Sequence, residues 1–153
     1  MSIRIQTEDF DHGEEYQKLR NRGAQTGAIV TFCGLVRDFD GHDGQFLQLE
    51  YYPGMTEKSL TGIVDDAKKR WPIFDAYIIH RVGKLALGEQ IVFVGVNSAH
   101  REGAFMACEF IMDFLKTRAP FWKKALTQQQ AYWIAAKDSD RESAESWDQA
   151  HSR

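Results

Sequence analysis

Two lysines, Lys116 and Lys123, flank a proline-containing bend in the run Lys116-Thr-Arg-Ala-Pro-Phe-Trp-Lys123. Ammonium groups brought close together disfavour each other's charge, which leaves some neutral amine for nucleophilic or base chemistry. The C-terminal end of a helix works in the opposite sense and favours cations. Sequence alone leaves that balance open. Lys116, Arg118, Lys123 and Lys124 fall within nine residues that contain no acid, a pattern that fits an anion site or a solvated basic loop.

A second group of polar residues is Asn97-Ser98-Ala99-His100-Arg101, where a strand pattern gives way to a helix pattern. Backbone N–H groups at a helix start favour an anion, and His100 and Arg101 would add a donor and a fixed charge suited to phosphate. The plainer alternative makes Ser98 a helix cap and His100 a surface residue. Arg37 closes the strand-like run Phe32-Cys33-Gly34-Leu35-Val36-Arg37 beside a turn-rich stretch, a common place for a binding residue. His80-Arg81 is read as structural.

The five histidines are scattered, and neither HExxH nor CxxC occurs, so the motifs give little support to metal catalysis. Phosphate loops of the GxxxxGK[ST] and GxGxxG kinds are absent too. Cys33 is a candidate persulfide carrier, but small buried hydrophobes is the favoured reading of both Cys33 and Cys108. Two cysteines make no disulfide framework, and a reducing compartment fits them. The first residues, MSIRIQTEDF, lack a secretion pattern, and no apolar run approaches the ~20 residues of a membrane span. A soluble cytoplasmic protein is expected.

The elements that must position these residues are partly visible. The chain has 153 residues, enough for one domain with a real core. Asp11 and Glu14 suggest a capping box opening a short helix through Tyr16 and Leu19. Thr26 to Arg37 reads as a strand, Asp38 to Gly44 as a mobile loop able to act as a lid, and Gln45 to Tyr52 as a strand in a hairpin with the first. Leu60, Ile63, Val64, Ala67 and Trp71 give a helical stripe. Ile73 to Val82 and Gln90 to Ser98 look like central strands, and a second long helix runs from about Glu102 to Lys116, where Pro120 forces its end.

Tyr132 to Lys137 would be a last edge strand. The order α, β, β, α, β, β, α, β suggests an α+β domain with largely antiparallel pairing. A formal net charge of -3 gives no reason to expect nucleic acid, and residues 138–153 alone hold five acids against two bases. These residues are taken as a polar, flexible tail behind a domain spanning residues 1–137.

Read together, Phe32 to Arg37, Tyr52-Pro-Gly-Met-Thr-Glu-Lys58, Ile79-His-Arg-Val-Gly83, Ile91 to Val96, Ser98-Ala-His-Arg101 and Phe110 to Lys123 resemble the large, catalytic subunit of molybdopterin synthase. The resemblance spans nearly the whole chain before the tail, and its last block joins uncommon neighbours. It implies an α/β hammerhead fold with an additional antiparallel β subdomain. It also implies a homodimer of large subunits within a heterotetramer, each bearing a small ubiquitin-like sulfur carrier that ends in a Gly-Gly thiocarboxylate. The implied substrate is cyclic pyranopterin monophosphate, which gains two sulfurs in succession, through a covalently held intermediate, to become the molybdopterin dithiolene. No metal and no organic cofactor is implied for that step.

Carried over residue by residue, Lys116 and Lys123 match the family's essential lysines. Arg37, His100 and Arg101 match groups that bind phosphate and pterin, and Phe32 and Met112 match pocket walls. The binding stretches also take in Leu35, Val36, Lys124 and Ala125; relatives can have lysine at position 35 and glutamate at 125. Lys137 stands where relatives can have an arginine that reaches the partner subunit's pocket.

Overall fold

The computed structural model describes residues 2–39, 41, 44–127, 130–135 and 137–150. Its main sheet runs in the order β1 (Ser2–Gln6), β4 (Ile73–Arg81), β6 (Gln90–Ser98) and β2 (Ala28–Leu35). β1 pairs parallel with β4, and the other two pairings are antiparallel. β4 and β6 are buried almost without interruption because both their faces are covered. On one face lie α2 (Met55–Arg70) and α3 (Arg101–Leu115), which bury Leu60, Ile63, Val64, Phe110 and Ile111 against Ile78, Val94 and Val96. On the other lies α1 (His12–Arg20), whose Leu19 joins Phe10, Tyr77, Ile79 and Phe93. Each fully buried aliphatic side chain contributes about 1.5–3 kcal/mol relative to leaving it in water.

The second sheet is wholly antiparallel, in the order β5 (Gly83–Ala86), β3 (Phe46–Tyr51), β7 (Phe121–Leu126) and β8 (Ala131–Ile134). Val36, Leu47, Leu49, Val82 and Leu85 form a wedge between the sheets, with Ile5, Ile91 and Phe121 packed on it. The chain passes from β4 into β5 through Gly83, whose φ of +91° is a conformation L side chains rarely adopt.

Several expectations hold. Asp11 caps α1 by accepting from the Glu14 N–H at 2.9 Å, the α2 stripe is core, and β4 and β6 are central. Others are corrected. β3 is not the hairpin partner of β2: β2 pairs with β6, while β3 crosses to the second sheet. Strands β1, β5 and β7 went unread, and Ser98 is not the cap of α3, since His100 occupies that place and Ser98 Oγ donates to its carbonyl.

In the turn-rich stretch, Asp38 Oδ1 accepts from the Gly41 N–H and the Gln45 side-chain amide; Asp40, His42 and Asp43 of the expected lid lie outside the described residues. The expected flexible tail is instead helix α4 (Asp138–Ala150). The physical reason is a small apolar contact: Ala144 and Trp147 are buried, and Trp147 meets Trp71 and Phe110 edge-on while its Nε1–H donates to Asp113 at 2.7 Å. Residues 151–153 lie outside the described residues. Among the described residues no helix is long and apolar enough to cross a membrane.

Candidate active site

The two lysines are positioned by the end of α3, a braced bend and the first half of β7. Phe114 and Leu115 are buried, so the last turn of α3 is fixed and Lys116, its exposed C-cap, projects outward. Beyond it the Arg118 N–H donates to the Phe114 carbonyl at 2.7 Å, and the Arg118 guanidinium lies over the Phe114 ring and pairs with Asp66. The Pro120 carbonyl accepts from the hydroxyl of fully buried Thr56, which itself accepts from the Tyr52 N–H, both at 3.0 Å. The start of α2 thus holds the bend in place.

Strand β7 then pairs with β3, Phe121 opposite Tyr51 and Lys123 opposite Leu49. Side chains alternate across a strand, so Phe121, Lys123 and buried Ala125 share the inner face and Trp122 and Lys124 the outer one. Lys124 lies over the Trp133 ring, 5.4 Å from its centre. Lys123 is half-buried, and the Lys116 side chain reaches it. Burial, followed by the charge of Lys116, depresses the Lys123 amine to about 8; Lys137 adds to this and Asp140 opposes it. Two ammonium groups cannot hydrogen-bond to each other, whereas a neutral Lys123 amine can accept from the Lys116 ammonium. The pair can hold one charge and pass one proton close to neutral pH.

His80 joins this centre, which the sequence reading missed. Its ring is buried and stacked on Phe121, centroids 3.8 Å apart, and burial with the two lysine charges pushes its pKa down to about 4. The imidazole is neutral at physiological pH. The signal available, a His-Arg dipeptide at a strand end, did not say that β7 would fold back over it. A cleft of about 370 Å³ opens beside Lys116, walled by Phe114, Arg118, Arg141 and Glu145.

The remaining candidates divide between the two ends of the molecule. Val36 belongs to the wedge that receives Phe121, which sets exposed Arg37 and Leu35 at the lysine end. Val36 and Ala125 are buried and turn their side chains into the core. Phe32 is exposed on β2, Met112 is half-buried on α3 against the main core, and Lys137 is exposed beside Lys123. His100 and Arg101 are exposed at the opposite end of α3 from Lys116, about 21 Å away at 1.5 Å per residue. They are as remote from Arg37, because β2 starts beside Ser98 and ends beside Gln90, about 23 Å further on. Gly27 locks that far corner: a Cβ there would come within 2.2 Å of the Ala99 carbonyl oxygen. One chain therefore brings the lysines together with His80 and leaves the His-Arg corner apart.

Neither thiol is activated. Burial pushes Cys33 up, and burial followed by Glu109 pushes Cys108 up to about 12, so both stay protonated.

Residues 5–118 match the family model described as MoaE protein. The chain belongs to the MoaE family. It is 54% identical over 147 residues to the molybdopterin synthase catalytic subunit of Vibrio cholerae, covering 95% of this chain and 97% of that one. The solved MoaE protein from Burkholderia ambifaria is 46% identical and superimposes with a TM-score of 0.82 over 96% of this chain and 98% of its own. A complex of subunits 1 and 2 of molybdopterin-converting factor from Helicobacter pylori shares the fold, with a TM-score of 0.74 at 20% identity over 88% of this chain and 91% of its own. As a MoaE-family member the chain is a catalytic subunit of molybdenum cofactor biosynthesis, an enzyme that transfers sulfur to a pterin. The resemblance read from the sequence is borne out in family, activity class and α+β fold.

Proposed function

We propose that the Lys116–Lys123 centre is where the C-terminal thiocarboxylate of a small carrier protein gives its sulfur to cyclic pyranopterin monophosphate. The observation that carries this reading is the convergence of two amines from separate elements, one exposed and one half-buried with its pKa near 8. The Lys116 ammonium stabilises the negative charge that develops as sulfur attacks the pterin side chain, and Lys123 moves the proton. Attack by the sulfur forms a thioester between carrier and pterin, and water then cleaves its acyl C–S bond, so each carrier leaves one sulfur behind and departs as a carboxylate; two carriers are consumed for each dithiolene.

Phosphate needs the fixed charges of Arg37 and Arg101 and the hydrogen-bonding ring of His100, and the length of α3 prevents one chain from offering the His-Arg corner to its own lysines. A second copy supplies that corner across a homodimer interface, with Lys137 near the same boundary. A twofold assembly makes two equivalent centres, each served by its own carrier, in a heterotetramer. The reducing cytoplasm suits a protein whose sulfur arrives on a carrier.

The test is reconstitution from the purified chain, thiocarboxylated carrier and cyclic pyranopterin monophosphate, with the dithiolene product assayed. Product confirms the reading; a folded chain that binds carrier and makes none is a docking scaffold. Cys33→Ser with Cys108→Ala is expected to keep the larger part of this activity. Loss of product in the folded double variant would indicate a persulfide route, seen by mass spectrometry as one extra sulfur on Cys33.

A further inference from the structure

His80 is absent from the chemistry assigned above, yet its ring bridges β4 of the main sheet and β7, the strand that carries Lys123. Its Nδ1 lies 2.8 Å from the Arg81 carbonyl. A carbonyl only accepts, so Nδ1 must carry the proton and donate, which fixes the tautomer and the ring plane. Arg81 is itself anchored to the main sheet and its margin, donating to the Thr7 carbonyl through Nε and NH2 and to the Gln90 carbonyl at 3.0 Å. From this fixed base the imidazole presents a flat face to Phe121, with an interplanar angle of 17°. Phe121 is two residues from Lys123 on the same face of β7.

We propose that His80 is a positioning residue for Lys123: a neutral, tautomer-locked ring that seats Phe121, and with it the inner face of β7, so that the Lys123 amine is held at Lys116. The proposal rests on reading the lysine pair as the active centre. A charged residue at position 80 would add a third cation to the pair, whereas a neutral aromatic ring excludes water without doing so. The charged groups facing Lys123 are Lys116 and Lys137 as cations and Asp140 as the acid; those facing His80 are Lys116 and Lys123.

The test is to follow the Lys123 amine by NMR titration in the full chain, with kcat and KM measured in the reconstituted reaction. In His80→Ala the midpoint is expected to rise from about 8 toward the free lysine value of about 10.4, with kcat down about tenfold and KM for the carrier little changed. His80→Phe, which restores a neutral flat ring, should recover most of both losses. Phe121→Leu removes the other half of the stack and carries the same expectation as His80→Ala, so a folding failure of one variant leaves the other decisive. A folded His80→Ala or Phe121→Leu with an unmoved midpoint and intact kcat overturns the proposal. So does a His80→Phe as impaired as His80→Ala, since the ring nitrogens rather than the stack would then be the working part. The titration needs no substrate, so a chain that made no dithiolene would reject the functional reading and still decide this one.

Discussion

Lys116→Ala is expected to lower dithiolene formation by about a hundred- to a thousandfold, the loss that follows removal of one preorganised charge from a reacting centre. The fold should not notice. The Lys116 side chain is exposed and makes no ion pair among the described residues, and the bond from its backbone N–H to the Met112 carbonyl survives in alanine. A surface change of that kind stays within about 0.5 kcal/mol. Single-turnover product formation, measured with carrier binding and thermal midpoint on the same preparation, separates lost chemistry from lost structure. A variant that kept its rate would remove Lys116 from the mechanism.

Mixing two inactive chains should restore activity. Lys116→Ala retains the His-Arg corner, and Arg101→Ala retains the lysine pair, so in the proposed homodimer each variant would lack one half of every centre. If α3 spans too far for a chain to complete its own site, a mixed dimer contains one intact centre out of two. With random exchange half the dimers are mixed, and roughly a quarter of wild-type activity is expected. Subunit exchange under mild denaturant followed by the product assay gives the result. No recovery, with exchange verified by mass, would mean that the corner serves no centre across the interface.

Much of this arrangement could be read along the chain because it is local. The α2 stripe, the Asp11 cap and the Pro120 bend each depend on residues within a few positions of one another. What stayed hidden depends on pairing between distant segments. Gln45 to Tyr52 was given to the nearest strand, because an alternating pattern states which face is buried and not which partner supplies it. Phe121–Leu126 shows no strand signal in the sequence, since two adjacent lysines hide its alternation; once β3 pairs with it, Lys123 turns inward and Lys124 outward.

The composition of α4 is that of a solvated tail, yet two buried residues, Ala144 and Trp147, are enough to dock it on Trp71 and Phe110. His80 shows the same limit at the site. Its neighbours in sequence are structural, and its functional neighbours arrive from residues some forty positions later. The lysines themselves were legible because the bend that joins them is short.

The coupling of the two lysines is read most directly from the titration midpoint of the Lys123 amine in the wild-type chain and in Lys116→Ala. Two amines that share one site predict a wild-type value of about 8, so that the Lys123 amine is protonated below it and neutral above, and a rise when Lys116 loses its charge. The rise should stop short of the free lysine value, because burial is the larger cause and remains. A wild-type amine that titrates like a free lysine and ignores the substitution would mean that the two side chains do not share a site.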